Sequence, residues 1–209
     1  LRLVLVDGPA VEPLTVAEAR ARSNVGSNVS DEVVQAFITA ARQTIDGADG
    51  WLGRALITQT WRGGLDEFPT CDGGRIFIPL PPLQSVTVKY LRYGDPVGLI
   101  QGIDYQLVQA PRPYIVPLTA WPAVTGVDGI TIEFVAGYGN AGSDVPEPIR
   151  TAIALMTGDF CDMATRNPYI TQEVEEGVGS TRYMVNADVN KMLDNALQNL
   201  LSIYRVIEI

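Results

Sequence analysis

Ile130-Thr-Ile-Glu-Phe-Val135, then Gly137-Tyr-Gly139-Asn-Ala-Gly142, then Pro146-Glu-Pro148-Ile149-Arg150 is the stretch in which this chain changes period. The first six residues are β-branched or aromatic at alternate positions, the pattern of a strand with one covered face. Beyond the glycines, Ile149, Ala152, Ile153, Met156, Phe160 and Met163 share one face at helical spacing. Pro146 and Pro148 stand in the first turn of that helix, where a missing N–H leaves nothing unpaired. A β region therefore ends here and a helix begins.

Working toward the N-terminus, the β character extends from about Leu56 to Gly139. Strand signals recur at Ile57-Thr-Gln-Thr-Trp61-Arg62, Arg75-Ile-Phe-Ile78, Ser85-Val-Thr-Val-Lys-Tyr-Leu91 and Tyr105-Gln-Leu-Val108. Gly63-Gly64, Gly73-Gly74, Pro79-Leu-Pro-Pro82, Gly94-Asp-Pro96 and Pro111-Arg-Pro113 punctuate them, each read as a ladder break or a turn. The strands are then short and antiparallel, as in a small sandwich or barrel, and no helical run separates them as a parallel α/β sheet requires. Ahead of this block, Thr15 is placed to cap a helix over Val16–Arg22, and Ser30 a longer one. Asp31 and Glu32 suit the dipole of that second helix, whose face reads Val33, Val34, Phe37, Ile38, Ala41 and Ile45.

Working toward the C-terminus, a loop with Asn167-Pro168 and the acidic run Glu173–Glu176 precedes a last helix from about Asp188 to Tyr204. The expected class is α+β: a helical domain of about four helices with a β-rich antiparallel insertion between the second and third. The boundaries are residues 14–54 plus 146–204 for the helical core, 55–140 for the insertion and 205–209 for a tail, within one chain of 1–209.

Of 209 residues, 46% are hydrophobic and 19% charged, so the chain can bury a core. It contains no histidine, which excludes Ser-His-Asp and Cys-His nucleophiles, His-containing zinc sites and imidazole proton shuttles. Lys and Arg total 15 against 24 Asp and Glu; the resulting net charge of -9 argues against wrapping nucleic acid through the whole surface. Cys71 and Cys161 lack metal-clip spacing and are expected as reduced thiols. No run reaches the ~20 apolar residues of a membrane span. Leu1–Val6 is too short for a signal-peptide core and lacks a basic lead-in, so a soluble cytoplasmic product is expected.

Gly137–Gly142 fits G-x-G-x-x-G after a strand and before a helix, the form that lets backbone approach a pyrophosphate. The helix starts several residues late, however, and no second strand with a ribose-binding acid follows. A Gly-rich turn explains the same letters. Asp66 with Glu67, Asp159 with Asp162, and Glu173, Glu175 and Glu176 could supply an acid–base pair only if different elements brought them to one cleft. Arg20, Arg22, Arg42, Arg54, Arg62, Arg150 and Arg166 are scattered, and Trp51, Trp61 and Trp121 are expected in packing roles. The tail Arg205-Val-Ile-Glu-Ile209 alternates like a strand. It must dock within the chain or add a strand to another chain's sheet edge.

In order along the chain stand Leu14-Thr-Val-Ala-Glu-Ala19, Gly53-Arg-Ala-Leu-Ile-Thr-Gln-Thr-Trp61, Leu65-Asp-Glu-Phe-Pro69, Ile78-Pro-Leu-Pro-Pro-Leu-Gln-Ser-Val86, Phe134-Val-Ala-Gly-Tyr-Gly139 and Val145-Pro-Glu-Pro-Ile-Arg-Thr-Ala-Ile153. This succession resembles the head–tail connector (adaptor) proteins of tailed bacteriophages and phage-derived gene transfer agents, over about Leu14 to Phe160. The polar Ser23–Ser30 loop and the last 40 residues depart from the family pattern.

The resemblance implies no catalysis and no cofactor or metal. It implies a particle protein at the head–tail junction, made in the host bacterial cytoplasm and touching no membrane. Twelve copies would form a ring under the portal protein, with stopper or tail proteins below and DNA passing through the lumen without specific binding. The family's C-terminal segment engages the portal, which singles out Tyr204, Arg205, Val206, Ile207, Glu208 and Ile209 as portal-binding residues. A tail-completion or stopper ring is the alternative within the structural class, and a nucleotide-binding enzyme using Gly137–Gly142 the alternative outside it.

Overall fold

The computed structural model describes residues 1–124, 126–165, 172–175, 179–182, 195 and 197–206. Two compact units form, one from Leu1–Pro13, Gln43–Val145 and Arg205–Ile209, the other from Leu14–Arg42 and Pro146–Tyr204.

In the first unit, five strands make one antiparallel sheet: β1 (Arg2–Asp7), β2 (Gln59–Leu65), β4 (Leu83–Arg92), β5 (Asp95–Leu99) and β8 (Ile130–Ala136), in the order β1-β2-β8-β4-β5. A second antiparallel sheet holds β3 (Ile76–Phe77), β7 (Tyr114–Pro117) and β6 (Tyr105–Val108), in the order β3-β7-β6. The period-two reading of 130–135 is correct. Ile130, Ile132, Phe134 and Ala136 are buried while Thr131, Glu133 and Val135 between them are half-exposed. That buried face shares one core with Val86 and Val88 of β4 and with Ile76, Tyr105 and Ile115 of the smaller sheet. The Tyr105 hydroxyl donates to the Val86 carbonyl at 2.9 Å, tying the sheets together, and burial pushes its phenol above the ordinary range. The result is a sandwich.

Gly63-Gly64, expected to break a ladder, lies inside β2 instead. A Cβ at Gly63 would fall 2.5 Å from the Leu1 side chain, so this glycine makes room for a neighbour across the sheet. That neighbour directly precedes β1, whose Leu3 pairs with Gly63; Leu1–Val6, weighed above only as a targeting segment, supplies most of the sheet's edge strand, Arg2–Asp7. β5 and β7 were also not anticipated.

A buried polar chain holds the turn after the second helix. Asp46 Oδ1 accepts from the Leu56 amide at 2.9 Å and from Gln59 Nε2 at 3.0 Å, and its Oδ2 accepts from the same Nε2 at 2.8 Å. Gln59 Oε1 in turn accepts from Trp61 Nε1 at 3.0 Å.

In the second unit lie α1 (Val16–Ser23), most of α2 (Asp31–Ile45) and α3 (Glu147–Thr165), and residues 197–201 are again helical. The class is thus α+β, with a β-rich region between α2 and α3. Thr15 caps α1 as expected, its Oγ1 accepting from Glu18 N at 3.2 Å while Glu18 Oε2 accepts from Thr15 N at 2.9 Å. Val34, Ile38 and Ala41 bury the α2 stripe, and Phe37 meets Phe160 of α3 with ring centres 5.9 Å apart. Val33 and Met163, expected on the covered faces, are exposed. The buried line of α3 turns instead through Thr157 and Cys161, because 3.6 residues per turn carries a long stripe around the helix.

Residues 173–175 were expected in a loop; Gln172–Glu175 is a strand, β9, paired with β10 (Gly179–Arg182). Glu176, Asn167-Pro168 and most of the expected last helix lie outside the described residues.

Arg150, nearly buried in α3, joins Glu18 of α1 and Glu147 of its own helix; Glu147 also meets Arg22. Glu18 is held below the ordinary carboxylate range mainly by the Thr15 amide and further by Arg150; Glu147 is held down mainly by Arg22. A lowered folded-state pKa gives stability that is present above the unfolded value and is lost as pH falls through the folded one. Arg150→Gln is therefore expected to cost about 2 kcal/mol at neutral pH, below the figure for fully buried pairs because the carboxylates are half-exposed. In urea denaturation the deficit should shrink as pH falls below the ordinary carboxylate range and through the lowered folded-state values.

Candidate functional site

The glycines of Gly137–Gly142 are accounted for by packing. Gly137 adopts φ +130°, and a Cβ there would lie 2.5 Å from the Ile57 carbonyl oxygen. At Gly139 it would meet the Asp144 carboxylate at 2.1 Å, and at Gly142 the Pro13 carbonyl at 2.6 Å. The Gly137 amide donates to Pro82 O at 2.9 Å, the Tyr138 amide to Leu56 O at 3.0 Å, and the Ala141 amide to Asp144 Oδ2 at 2.9 Å. Each of these amides thus already has an acceptor, two backbone carbonyls and one carboxylate, where an anion-binding loop leaves its amides for phosphate.

The acidic candidate sets that are described lie on separate elements. Asp66 lies on the exposed surface, accepting from the Asp128 amide and from Arg2, each at 2.8 Å. Those bonds, the amide first, keep its carboxyl below the usual range. The group fastens β1 to the loop before β8. Asp159 and Asp162 lie along α3, the latter exposed, and 173–175 on β9. Among the described residues no three acids or cysteines gather to hold a metal ion, and no helix is long and apolar enough to cross a membrane. Cys71 is exposed and free; Cys161 is buried and free, its thiol pushed up by that burial.

Two of the tryptophans pack as expected. Trp61 is buried and bonded to Gln59, and Trp121 stacks on Phe68 with centres 4.5 Å apart while its Nε1 donates to Gly74 O at 2.7 Å. Trp51 differs. Its half-buried ring lies under the Arg205 guanidinium, whose Cζ is 4.6 Å from the ring centre. Of the six tail residues, Tyr204, Arg205 and Val206 are described and Ile207, Glu208 and Ile209 lie outside the described residues. Val206 donates its amide to Leu52 O at 2.9 Å. It also helps line a cleft of about 320 Å³ with Leu1, Leu3, Phe77, Leu80 and Arg112. Sequence reasoning singled out the tail but missed this receiving surface. Its parts come from β1, the turn after α2 and the β3 region, which no local pattern connects.

No known protein family matches the sequence, and no curated protein does. By structure, the chain is similar to one in the virion of a native gene transfer agent particle. The TM-score is 0.70 at 20% identity, covering 100% of this chain and 97% of that one. The same figures hold for a chain in the neck of an empty particle computed with C6 symmetry. A chain in the neck of a native particle computed with C12 symmetry gives 0.59 at 18% identity, covering 99% and 97%. From end to end, this chain shares its fold with components of gene transfer agent particles.

Proposed function

We propose that this chain is a structural particle protein, a ring-forming adaptor between the portal of a DNA-filled head and its tail. The observation that carries the reading is full-length likeness, with 97% coverage of the other chain, to particle and neck components. The ordered motifs from Leu14 to Ile153 point the same way. The symmetry of those necks supports a ring, with twelve copies as the number the adaptor family uses. A net charge of -9 per subunit would let DNA slide through such a ring, since like charge repels phosphate. The C-terminal segment from Tyr204 onward is the portal-binding element.

Deleting Val206–Ile209 should give heads that package DNA yet fail to join tails, counted by electron microscopy of lysates. Normal particles would refute the role of the tail. A stopper ring one level further from the head is the second reading, since the likeness is to components of a whole neck and does not distinguish its levels. Electron microscopy of the chain with portal separates the two: direct contact on a shared axis identifies the adaptor, and a ring that needs an intervening protein identifies the stopper.

A further inference from the structure

The C-terminal segment already has a partner inside its own chain. Arg205 lies over Trp51, and the Val206 amide bonds the carbonyl of fully buried Leu52. Gly53 follows at φ +60°, and a Cβ there would stand 3.5 Å from the Val206 Cβ, in ordinary contact. A cation over the ring, a backbone hydrogen bond and close approach of the Val206 side chain thus fall on three consecutive residues. Beside them the cleft is walled by Leu1, Leu3, Phe77 and Leu80, with Arg112 also lining it.

We infer that the Trp51–Gly53 turn and its cleft are a docking seat for this chain's own C-terminal segment, and that seat and portal compete for it. The competition rests on the adaptor reading above; the seat does not. A subunit holding its tail in the seat presents less of it to a partner. Portal affinity is then scaled by the fraction of chains with the tail released.

A reversible cross-link tests both halves. The 3.5 Å Cβ separation lies at the short end of the range spanned by disulfides, roughly 3.5–4.5 Å. Gly53→Cys with Val206→Cys is made with Cys71→Ser, which removes the exposed thiol; Cys161 is buried. Gly53 lies at φ +60°, where any side chain is strained, so the reduced variant is first matched to the parent by circular dichroism and Tm. Mild oxidation of the free protein should then form the bond, followed by mass and thiol titration; a folded variant that does not form it, together with parent-like Trp51 fluorescence after Arg205→Ala in the otherwise wild-type chain, overturns the seat. Binding is then measured to the purified portal ring of the same particle. With about one chain in ten left uncross-linked, apparent affinity should fall about tenfold and return on reduction. Equal binding in both states overturns the competition. Trp51→Ala, which loosens the seat without altering the tail, should bind portal about two- to fivefold more tightly. If the wild-type chain binds no portal at all, the adaptor reading fails and the competition with it, while the cross-link yield still decides the seat.

Discussion

Phe134→Ala should lower the stability of the β-rich unit by about 4 kcal/mol, a drop of roughly 8–16 °C in Tm for a chain of this length. Phe134 is 1% exposed in the middle strand of the five, with Trp61 of β2 and Val86 of β4 as its register partners on either side. Removing the ring loses its transfer free energy and leaves a cavity between two strands that the hydrogen-bonded ladders keep from closing. A position three residues earlier is the control. Thr131→Ala, on the other face of β8, should shift stability by no more than about 0.5 kcal/mol. Thermal unfolding of the two variants beside the parent checks both values; a small loss at Phe134 would mean that the two sheets do not share one core.

The second large effect is expected at Asp46. Asp46→Ala removes the acceptor of the Leu56 amide and of the Gln59 side chain, both nearly or fully buried, and frees Gln59 from its position against Trp61. Buried donors left without acceptors carry their full desolvation penalty, so the expected loss is about 3 kcal/mol. Asp46→Asn keeps one carbonyl oxygen for these donors and should cost about half as much. Because Leu56 and Gln59 flank Ile57, whose carbonyl touches Gly137, the Asp46→Ala change should also speed amide exchange at Gly137 and Tyr138. Urea denaturation gives the free energies, and hydrogen exchange at those two amides gives the local effect. Unchanged exchange there would show that the Gly137–Gly142 loop is held without this network.

The arrangement gives the Gly-rich segment a structural account. Its three glycines each accept a close neighbour from elsewhere in the β-rich unit, at Ile57, Asp144 and Pro13. The spacing that suggested a nucleotide follows from three separate close approaches along one turn, and the resemblance to a phosphate loop stops at the letters.

What the sequence determined by itself was everything that depends on near neighbours in the chain. The alternation at 130–135, the Thr15 cap three residues before Glu18 and the α2 stripe were legible because strand and helix periods and capping bonds span only a few residues. The α+β class followed from them. The tertiary structure decided which segments meet. It made Arg2–Asp7 an edge strand beside Gly63, gathered Asp46, Gln59 and Trp61 into one buried chain, and set Arg205 and Val206 on Trp51–Gly53. Each contact joins residues whose local patterns say nothing of one another. Partner choice in a sheet or at a cleft is fixed by the burial and hydrogen bonding of the assembled fold, and no short window of sequence carries it.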